Sequence, residues 1–166
     1  MKAFLLFCCI ISGISQHTFS QKTTCAKFKL MELAALLKIN SNDFDTKVSG
    51  RCYEYKEAED NELVKRKKYS WAKDNAATTD NINYGITKSS GKVFITYNTY
   101  SPEKYQSFKT DLTKLKFTFL SEQTPEKEVT HFKYTNGKYN LLIILNANPG
   151  NYKYSLVIEE VSPAAK

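Results

Sequence analysis

The stretch VTHFKYTNGKYNLLIIL, residues 129–145, decides the fold class of this chain. Asn-Gly at positions 136 and 137 is a preferred centre for a two-residue β-hairpin turn, and both flanks are rich in β-branched and aromatic residues. We therefore predict antiparallel strands at Val129 to Tyr134 and Tyr139 to Leu145. Because Leu141 to Leu145 is apolar at successive positions, we expect that strand to be central and covered on both faces.

Further strands are predicted on both sides of this hairpin, from alternation of apolar and polar residues and from turn residues between the alternating runs. They are Cys52 to Lys56, Leu63 to Trp71, the alternation through Ile82, Tyr84 and Ile86, Lys92 to Asn98, Lys116 to Leu120, and Tyr152 to Glu160. Turns are predicted at Lys88-Ser89-Ser90-Gly91 and at Pro149-Gly150.

Helices are predicted ahead of each group of strands. Phe28 to Lys38 carries apolar residues at helical spacing along one face, and Ser41 is placed to cap a second short helix that ends at Gly50. Ser101-Pro102-Glu103 predicts a third helix start, with a capping serine, a proline at the first position and an acid near the positive helix end. The buried stripe of that helix is Tyr105, Phe108, Leu112 and Leu115. We therefore predict an α+β protein in which two or three helices pack on one face of antiparallel sheet, with about eight strands in one sheet or two.

The order of elements indicates two tandem helix-plus-four-strand units, residues 28–98 and 102–161. Four residue pairs recur at one constant offset: Phe44 and Phe108, Val48 and Leu112, Tyr53 and Phe117, and Tyr55 and Phe119. The offset drifts slightly for Tyr69 and Tyr134, for Gly91 and Gly150, and for Ser101-Pro102 and Ser162-Pro163. An internal duplication with small insertions and deletions explains this pattern, and so does chance, because any helix-to-strand junction places aromatic residues in this way.

This element order, over residues 28–160, resembles the tandem helix-plus-four-strand arrangement of the β-lactamase inhibitory protein family. The resemblance is architectural and rests on no motif, so no functional residue carries over from it. The segment from Asn42-Asp43-Phe44-Asp45 to Gly50-Arg51-Cys52-Tyr53-Glu54-Tyr55 is also similar to a segment of small exported proteins of the Bacteroidota. That second similarity implies a lineage and no activity.

The first 20 residues have the three parts of a secretory signal peptide. Met1-Lys2 is cationic, Ala3 to Ile14 is almost wholly apolar, and Ser15 to Ser20 is polar with small residues ahead of a cut before Gln21. The apolar run is shorter than the about 20 residues that a membrane-spanning helix needs. We therefore expect residues 1–20 to be removed and 21–166 to be one soluble α+β domain, periplasmic or secreted, without a transmembrane segment.

Cleavage would leave Cys25 and Cys52 of the four cysteines. In an oxidising compartment two cysteines favour a disulfide, and we predict that bond here. The alternatives are two free structural thiols, or a thiol nucleophile working with His131, although neither cysteine lies in a known catalytic signature.

The sequence predicts no catalytic residue, no metal site and no cofactor. The one histidine and two paired cysteines left after removal of residues 1–20 are too few for a four-ligand zinc site. The acidic run at 57–62 lacks the spacing of a calcium loop. The chain has no nucleophile elbow and no glycine-rich phosphate loop. Glu159 and Glu160 are neighbours on a predicted strand and therefore point to opposite faces.

The candidate binding segment is the run Lys65-Arg66-Lys67-Lys68-Tyr69-Ser70-Trp71, in a chain of net charge +7. Cations beside aromatic rings are typical of surfaces that bind polyanions. In a regular strand Lys65, Lys67, Tyr69 and Trp71 share one face, where a sugar could also stack. The structural alternative is that these lysines protect an edge strand from aggregation and are neutralised across a hairpin by residues 57–62.

From these features we expect an exported binding or inhibitor-like module without catalytic machinery, whose partner is an envelope or extracellular protein or glycan. One alternative is an enzyme acting on envelope polymers, with carboxylates brought together only in three dimensions. The other is a polyanion or glycan binder that works through residues 65–71.

Overall fold

A computed structural model describes residues 25–72, 79–148 and 151–162 of the chain. Its elements are α1 (Leu30–Leu36), α2 (Ser41–Ser49), β1 (Tyr53–Asp60), β2 (Val64–Trp71), β3 (Asn81–Thr87), β4 (Val93–Thr99), α3 (Pro102–Lys114), β5 (Thr118–Glu126), β6 (Val129–Thr135), β7 (Tyr139–Asn146) and β8 (Tyr154–Glu160). The strands of these described ranges form one antiparallel sheet in the order β1-β2-β3-β4-β8-β7-β6-β5. The predicted α+β class is confirmed, with one continuous sheet.

The helices pack on one face of the sheet, which we call the helix side. The Phe44 ring of α2 lies 5.5 Å from the Tyr69 ring and 5.1 Å from the Tyr84 ring, and Phe108 of α3 lies 5.4 Å from Tyr97. Leucines of α1 join the same buried cluster. The alternate residues of each strand point to the other face, which no described helix covers and which we call the open face.

The capping residue is as predicted for α3 and differs from the prediction for α2. Ser101 caps α3 as predicted, and its Oγ accepts a hydrogen bond from a first-turn backbone N–H at 3.0 Å. For α2, the predicted cap at Ser41 is wrong, because Asn40 takes the extended conformation of a cap and Ser41 is already helical. Asn40 Oδ1 accepts from the backbone of Asn42 at 3.0 Å and of Asp43 at 2.9 Å.

The sheet consists of two helix-plus-four-strand units that meet where β4 pairs with β8. Each helix-to-strand junction contains a non-glycine residue in the left-handed region, Cys52 (φ 67°) and Lys116 (φ 56°). The edge-to-face ring pairs Tyr55–Tyr69 and Phe119–Tyr134 both have centroids 5.6 Å apart, and a β-bulge follows the first ring of each pair. The sequence aligns the residues of these two ring pairs, Tyr55 with Phe119 and Tyr69 with Tyr134. A duplication as the origin of the likeness stays a prediction.

Two expectations about individual strands are corrected. β1 and β5 continue to Asp60 and Glu126, well beyond the predicted ends at Lys56 and Leu120, because these edge strands are exposed on both faces and show little alternation. β7 is flanked by β6 and β8 as predicted, but its two faces differ. Leu141 and Ile143 are buried on the helix side, whereas Leu142 and Ile144 are half-buried on the open face, so the strand is not covered on both sides.

The predicted disulfide is present. Cys25 and Cys52 are bonded, with Cα atoms 5.3 Å apart, so neither free-thiol alternative applies. The bond ties the segment before α1 to the start of β1. The predicted signal peptide and the Pro149-Gly150 turn lie outside the described residues. In the ranges that the structure describes, no helix has the length and apolar character needed to cross a bilayer.

Candidate functional site

Strand alternation divides the basic run between the two faces of the sheet. Lys65, Lys67, Tyr69 and Trp71 point to the helix side, whereas Arg66, Lys68 and Ser70 point to the open face. The seven residues are therefore not one continuous surface. The sequence correctly grouped the first set, but it could not show what each member contacts.

The helix-side members are engaged in internal contacts. Lys67 Nζ pairs with Asp45 at 2.8 Å, and the Tyr69 hydroxyl donates to the same carboxylate. Tyr69 is buried, and burial together with Asp45 raises its pKa. Trp71 Nε1 donates to the Arg51 carbonyl oxygen at 3.1 Å. These contacts anchor α2 and the junction before β1, and Tyr69 is too deeply buried to stack on a ligand.

The open-face members are paired with the acidic run of β1. Lys68 Nζ lies 2.9 Å from Glu57, and Arg66 Nη1 lies 3.5 Å from Glu59. On the helix side, Lys65 is exposed opposite Asp60, whose carboxylate pairs with Lys88 at 2.5 Å. The acidic run thus pairs with Lys68 and Arg66 across the hairpin, as the structural alternative predicted. The predicted protection of an edge strand is wrong, because β2 lies between β1 and β3.

The open face carries a polar cleft over the first unit. It has a volume of about 200 Å³ and is lined by Glu57, Glu59, Arg66, Lys68, Asn83, Asn98 and Tyr152. A second cleft of about 360 Å³ adjoins it, because Lys68 and Tyr152 line both. Four neighbouring strands and the segment before β8 contribute to these walls. We call the first of the two the open-face cleft.

Two polar atoms of the open-face cleft lack hydrogen-bond partners within the described part of the chain. Asn83 is only 5% exposed, and its Oδ1 has no donor. The Arg66 side chain is 36% exposed, but its Nε atom is shielded from solvent and has no acceptor. Asn81, two residues earlier on the same face, is 2% exposed, but its Oδ1 accepts from Ser70 Oγ at 2.5 Å. A buried polar group without a partner costs about 1–3 kcal/mol, so the cleft holds two groups that gain from a ligand.

Tyr152 is the aromatic residue of the cleft. Its ring lies 4.8 Å from that of Tyr100, which fixes its position ahead of β8. Burial, followed by the neighbouring Tyr100 and Asp80, raises the pKa of Tyr152 to about 12. The phenol therefore stays protonated at neutral pH and can donate a hydrogen bond.

A second polar cluster is buried on the helix side. Asp80, 1% exposed, accepts hydrogen bonds from Tyr97 at 2.5 Å and Thr99 at 2.6 Å and pairs with Lys27 at 3.2 Å. Lys104 donates to the Phe28 carbonyl oxygen, and burial lowers its pKa. This network holds the segment before α1 against the sheet, so we regard it as structural.

The other predicted features occupy separate places. His131 is half-buried on the open face, opposite Gln123 of β5 and Ile144 of β7. Among the described residues, no three His, Cys, Asp or Glu side chains are grouped in a way that could hold a metal ion. Glu159 is half-buried and accepts from Asn140 at 3.4 Å, whereas Glu160 is exposed on the opposite face.

Sequence reasoning missed Asn83, Asn98 and Tyr152. Asn81, Asn83 and Gly85 alternate with the apolar residues of β3, a pattern that normally marks a solvated face. The available signal was the amides themselves, because an asparagine that becomes buried on a strand requires hydrogen-bond partners.

No protein-family model, no curated protein and no solved structure matches this chain. The functional argument therefore rests on the geometry of the chain itself.

Proposed function

We propose that this protein is exported and acts as a non-catalytic binding module, and that its partner, an envelope or extracellular protein or glycan, contacts the open face at the open-face cleft. One observation carries the proposal: Asn83 and Arg66 present unpaired buried hydrogen-bonding atoms in that cleft. Folding alone would favour apolar or fully paired residues there. A partner that supplies the missing hydrogen bonds explains why such groups are kept.

Export is supported by two independent features. The first is the signal-peptide pattern of residues 1–20. The second is the Cys25–Cys52 disulfide, a bond that persists in oxidising compartments and is rare in the reducing cytosol. Periplasmic and secreted locations both fit.

The carboxylates of the cleft favour binding over catalysis. An enzyme that cleaves a glycosidic bond needs one carboxyl group to act as an acid and another to act as a base or nucleophile. Glu57 and Glu59 each pair with a cation of β2, so these carboxylates already hold the β1–β2 hairpin together. The same pairs weaken the polyanion alternative, because they leave the cleft with little net charge.

The inhibitor-like part of the proposal comes from the tandem architecture. The two helix-plus-four-strand units keep the element order that resembles the β-lactamase inhibitory protein family. The likeness is one of architecture alone. It suggests that the partner is a protein, and we assign no binding residue from it.

Affinity capture from cell-envelope extract tests this proposal, with residues 21–166 as bait. Thr96→Arg places a long side chain on the open face, because Thr96 pairs with Asn83 in the β3–β4 ladder. Gln106→Arg adds the same charge to an exposed position of α3 as a matched control. We expect the wild type and Gln106→Arg to retain the same partner and Thr96→Arg to lose it. Equal retention by all three would show that the open face is not the binding face.

A further inference from the structure

We propose that the open-face cleft is a binding site for a neutral saccharide. This inference rests on the proposed function and assigns a chemical class to the ligand. Its basis is the combination of paired charges, one unpaired donor, one unpaired acceptor and an aromatic side chain in the same cleft.

The charges of the cleft favour a neutral ligand. Arg66 pairs with Glu59 and Lys68 pairs with Glu57, so the four charged side chains compensate one another. In the adjoining cleft Lys56 pairs with Glu54 at 2.9 Å. A polyanion would have to compete with these carboxylates for every cation, and its attraction to an electrically balanced surface is small.

The unpaired atoms narrow the chemistry further. Arg66 Nε needs an acceptor, and Asn83 Oδ1 needs a donor. A phosphate or sulfate only accepts and leaves Asn83 unpaired, whereas an ammonium group only donates and leaves Arg66 unpaired. A hydroxyl does both, and a sugar ring carries several hydroxyls in fixed relative positions.

The shape of the two clefts fits an extended ligand. The clefts have volumes of about 200 and 360 Å³, and Lys68 and Tyr152 line both of them. A chain of sugar rings can follow such a groove, with an apolar ring face against Tyr152 and hydroxyls toward the asparagines. A peptide backbone also donates and accepts hydrogen bonds. It lacks the apolar face of a sugar ring, which packs well against an aromatic side chain.

Lys68 lies opposite Asn83 in the β2–β3 ladder, on the same face of the sheet. Both unpaired atoms are shielded from solvent, so a ligand reaches them by displacing a side chain. The Lys68 side chain is 38% exposed and its partner Glu57 is 63% exposed, so this ion pair contributes little and the lysine can rotate on its flexible stem. Binding therefore exchanges a weak surface pair for hydrogen bonds to buried groups.

Isothermal titration of residues 21–166 tests the inference with maltotriose, cellotriose, mannotriose and triacetylchitotriose as probes. A heparin trisaccharide and a capped trialanine serve as the charged and peptide probes. We expect saturable binding of at least one neutral trisaccharide, with a Kd on the order of 1 mM or lower. Asn83→Leu should weaken that binding by about tenfold or more, since it removes a hydrogen bond in a dry site. Tyr152→Ala, a second variant outside the strands, should also weaken it, while Asn140→Ala on β7 should leave it unchanged.

Three results would overturn the inference: no binding of any neutral probe, equal binding by the wild type, Asn83→Leu and Tyr152→Ala, or tighter binding of heparin or peptide. These outcomes are separable from failure of the proposed function. If an envelope protein is captured by the wild type and lost by Thr96→Arg while no neutral sugar binds, the binding face stands and the saccharide class is wrong. If capture is also insensitive to Thr96→Arg, both proposals fail.

Discussion

Asn83→Leu should make this protein more stable while removing a functional group. Asn83 Oδ1 is buried without a donor, a state that costs about 1–3 kcal/mol, and leucine replaces the amide with an apolar group of similar size. We expect a gain of about 1–2 kcal/mol in the free energy of unfolding, because some of the benefit is lost in repacking. For a domain of this size that corresponds to a rise in Tm of roughly 3–8 °C.

Asn81→Leu is the matched control. Asn81 lies on the same strand and face, is equally buried, and differs in that its Oδ1 accepts a hydrogen bond from Ser70 at 2.5 Å. The substitution removes that bond and leaves the serine hydroxyl without its acceptor, so we expect a loss of about 1–3 kcal/mol. The two leucine variants should therefore change stability in opposite directions.

Urea unfolding followed by circular dichroism measures both variants, with calorimetry for Tm. A shifted midpoint with an unchanged m-value would show that the substitution changes stability and does not change the compactness of the denatured state. If both variants lose the same stability, Asn83 is a satisfied structural residue and the reasoning about the open-face cleft fails. If Asn83→Leu gains stability but retains every binding activity, the unpaired amide is not kept for a ligand.

Three other predictions concern structural features away from the cleft. Residues 21–166, unreduced and denatured, should take up no alkylating label, and Cys25→Ser with Cys52→Ser should cost about 3–4 kcal/mol in urea unfolding. Label uptake by wild-type 21–166 would contradict the disulfide. The Arg51 hydrogen bond lowers the pKa of Glu32 from 4.5 to about 2. The stability that Glu32 contributes is therefore present above its unfolded pKa and lost as the pH falls toward 2. Glu32→Gln should flatten the fall in Tm between about pH 5 and pH 2. An unchanged dependence of Tm on acid pH would refute the Glu32–Arg51 pairing. Gly85→Ala should destabilise the fold by about 1–3 kcal/mol, since a Cβ there would collide with an aromatic ring of β4, and a neutral effect would contradict that packing.

Most of the fold could be predicted because its interior strands alternate between an apolar and a polar side. β3, with Ile82 and Tyr84 facing the helices, is readable from period-two patterning, and α3 is readable from its cap and proline. The ends of β1 and β5 could not be read, because edge strands exposed on both faces lose the alternation. The cap at Asn40 was missed because two adjacent residues, both good caps, compete for the position.

The candidate site was harder to predict than the fold, for a physical reason. A continuous run such as residues 65–71 looks like one surface in sequence, but on a strand it is shared between two faces. The residues of the cleft come from separate strands and meet only through the strand order. Whether Asn83 has a hydrogen-bond partner is a property of the neighbours on adjacent strands, which alternation alone does not specify.

The claim that the open face is the binding face has one direct test, the side-chain amide resonances of labelled residues 21–166 during titration with the captured partner or saccharide. Asn83 and Asn98 carry NH₂ groups on the open face, and Gln106 carries one on the exposed surface of α3. We expect the Asn83 and Asn98 signals to shift with ligand concentration while the Gln106 signal stays in place. A shift of Gln106 with Asn83 and Asn98 unchanged would contradict the claim and assign binding to the helix side.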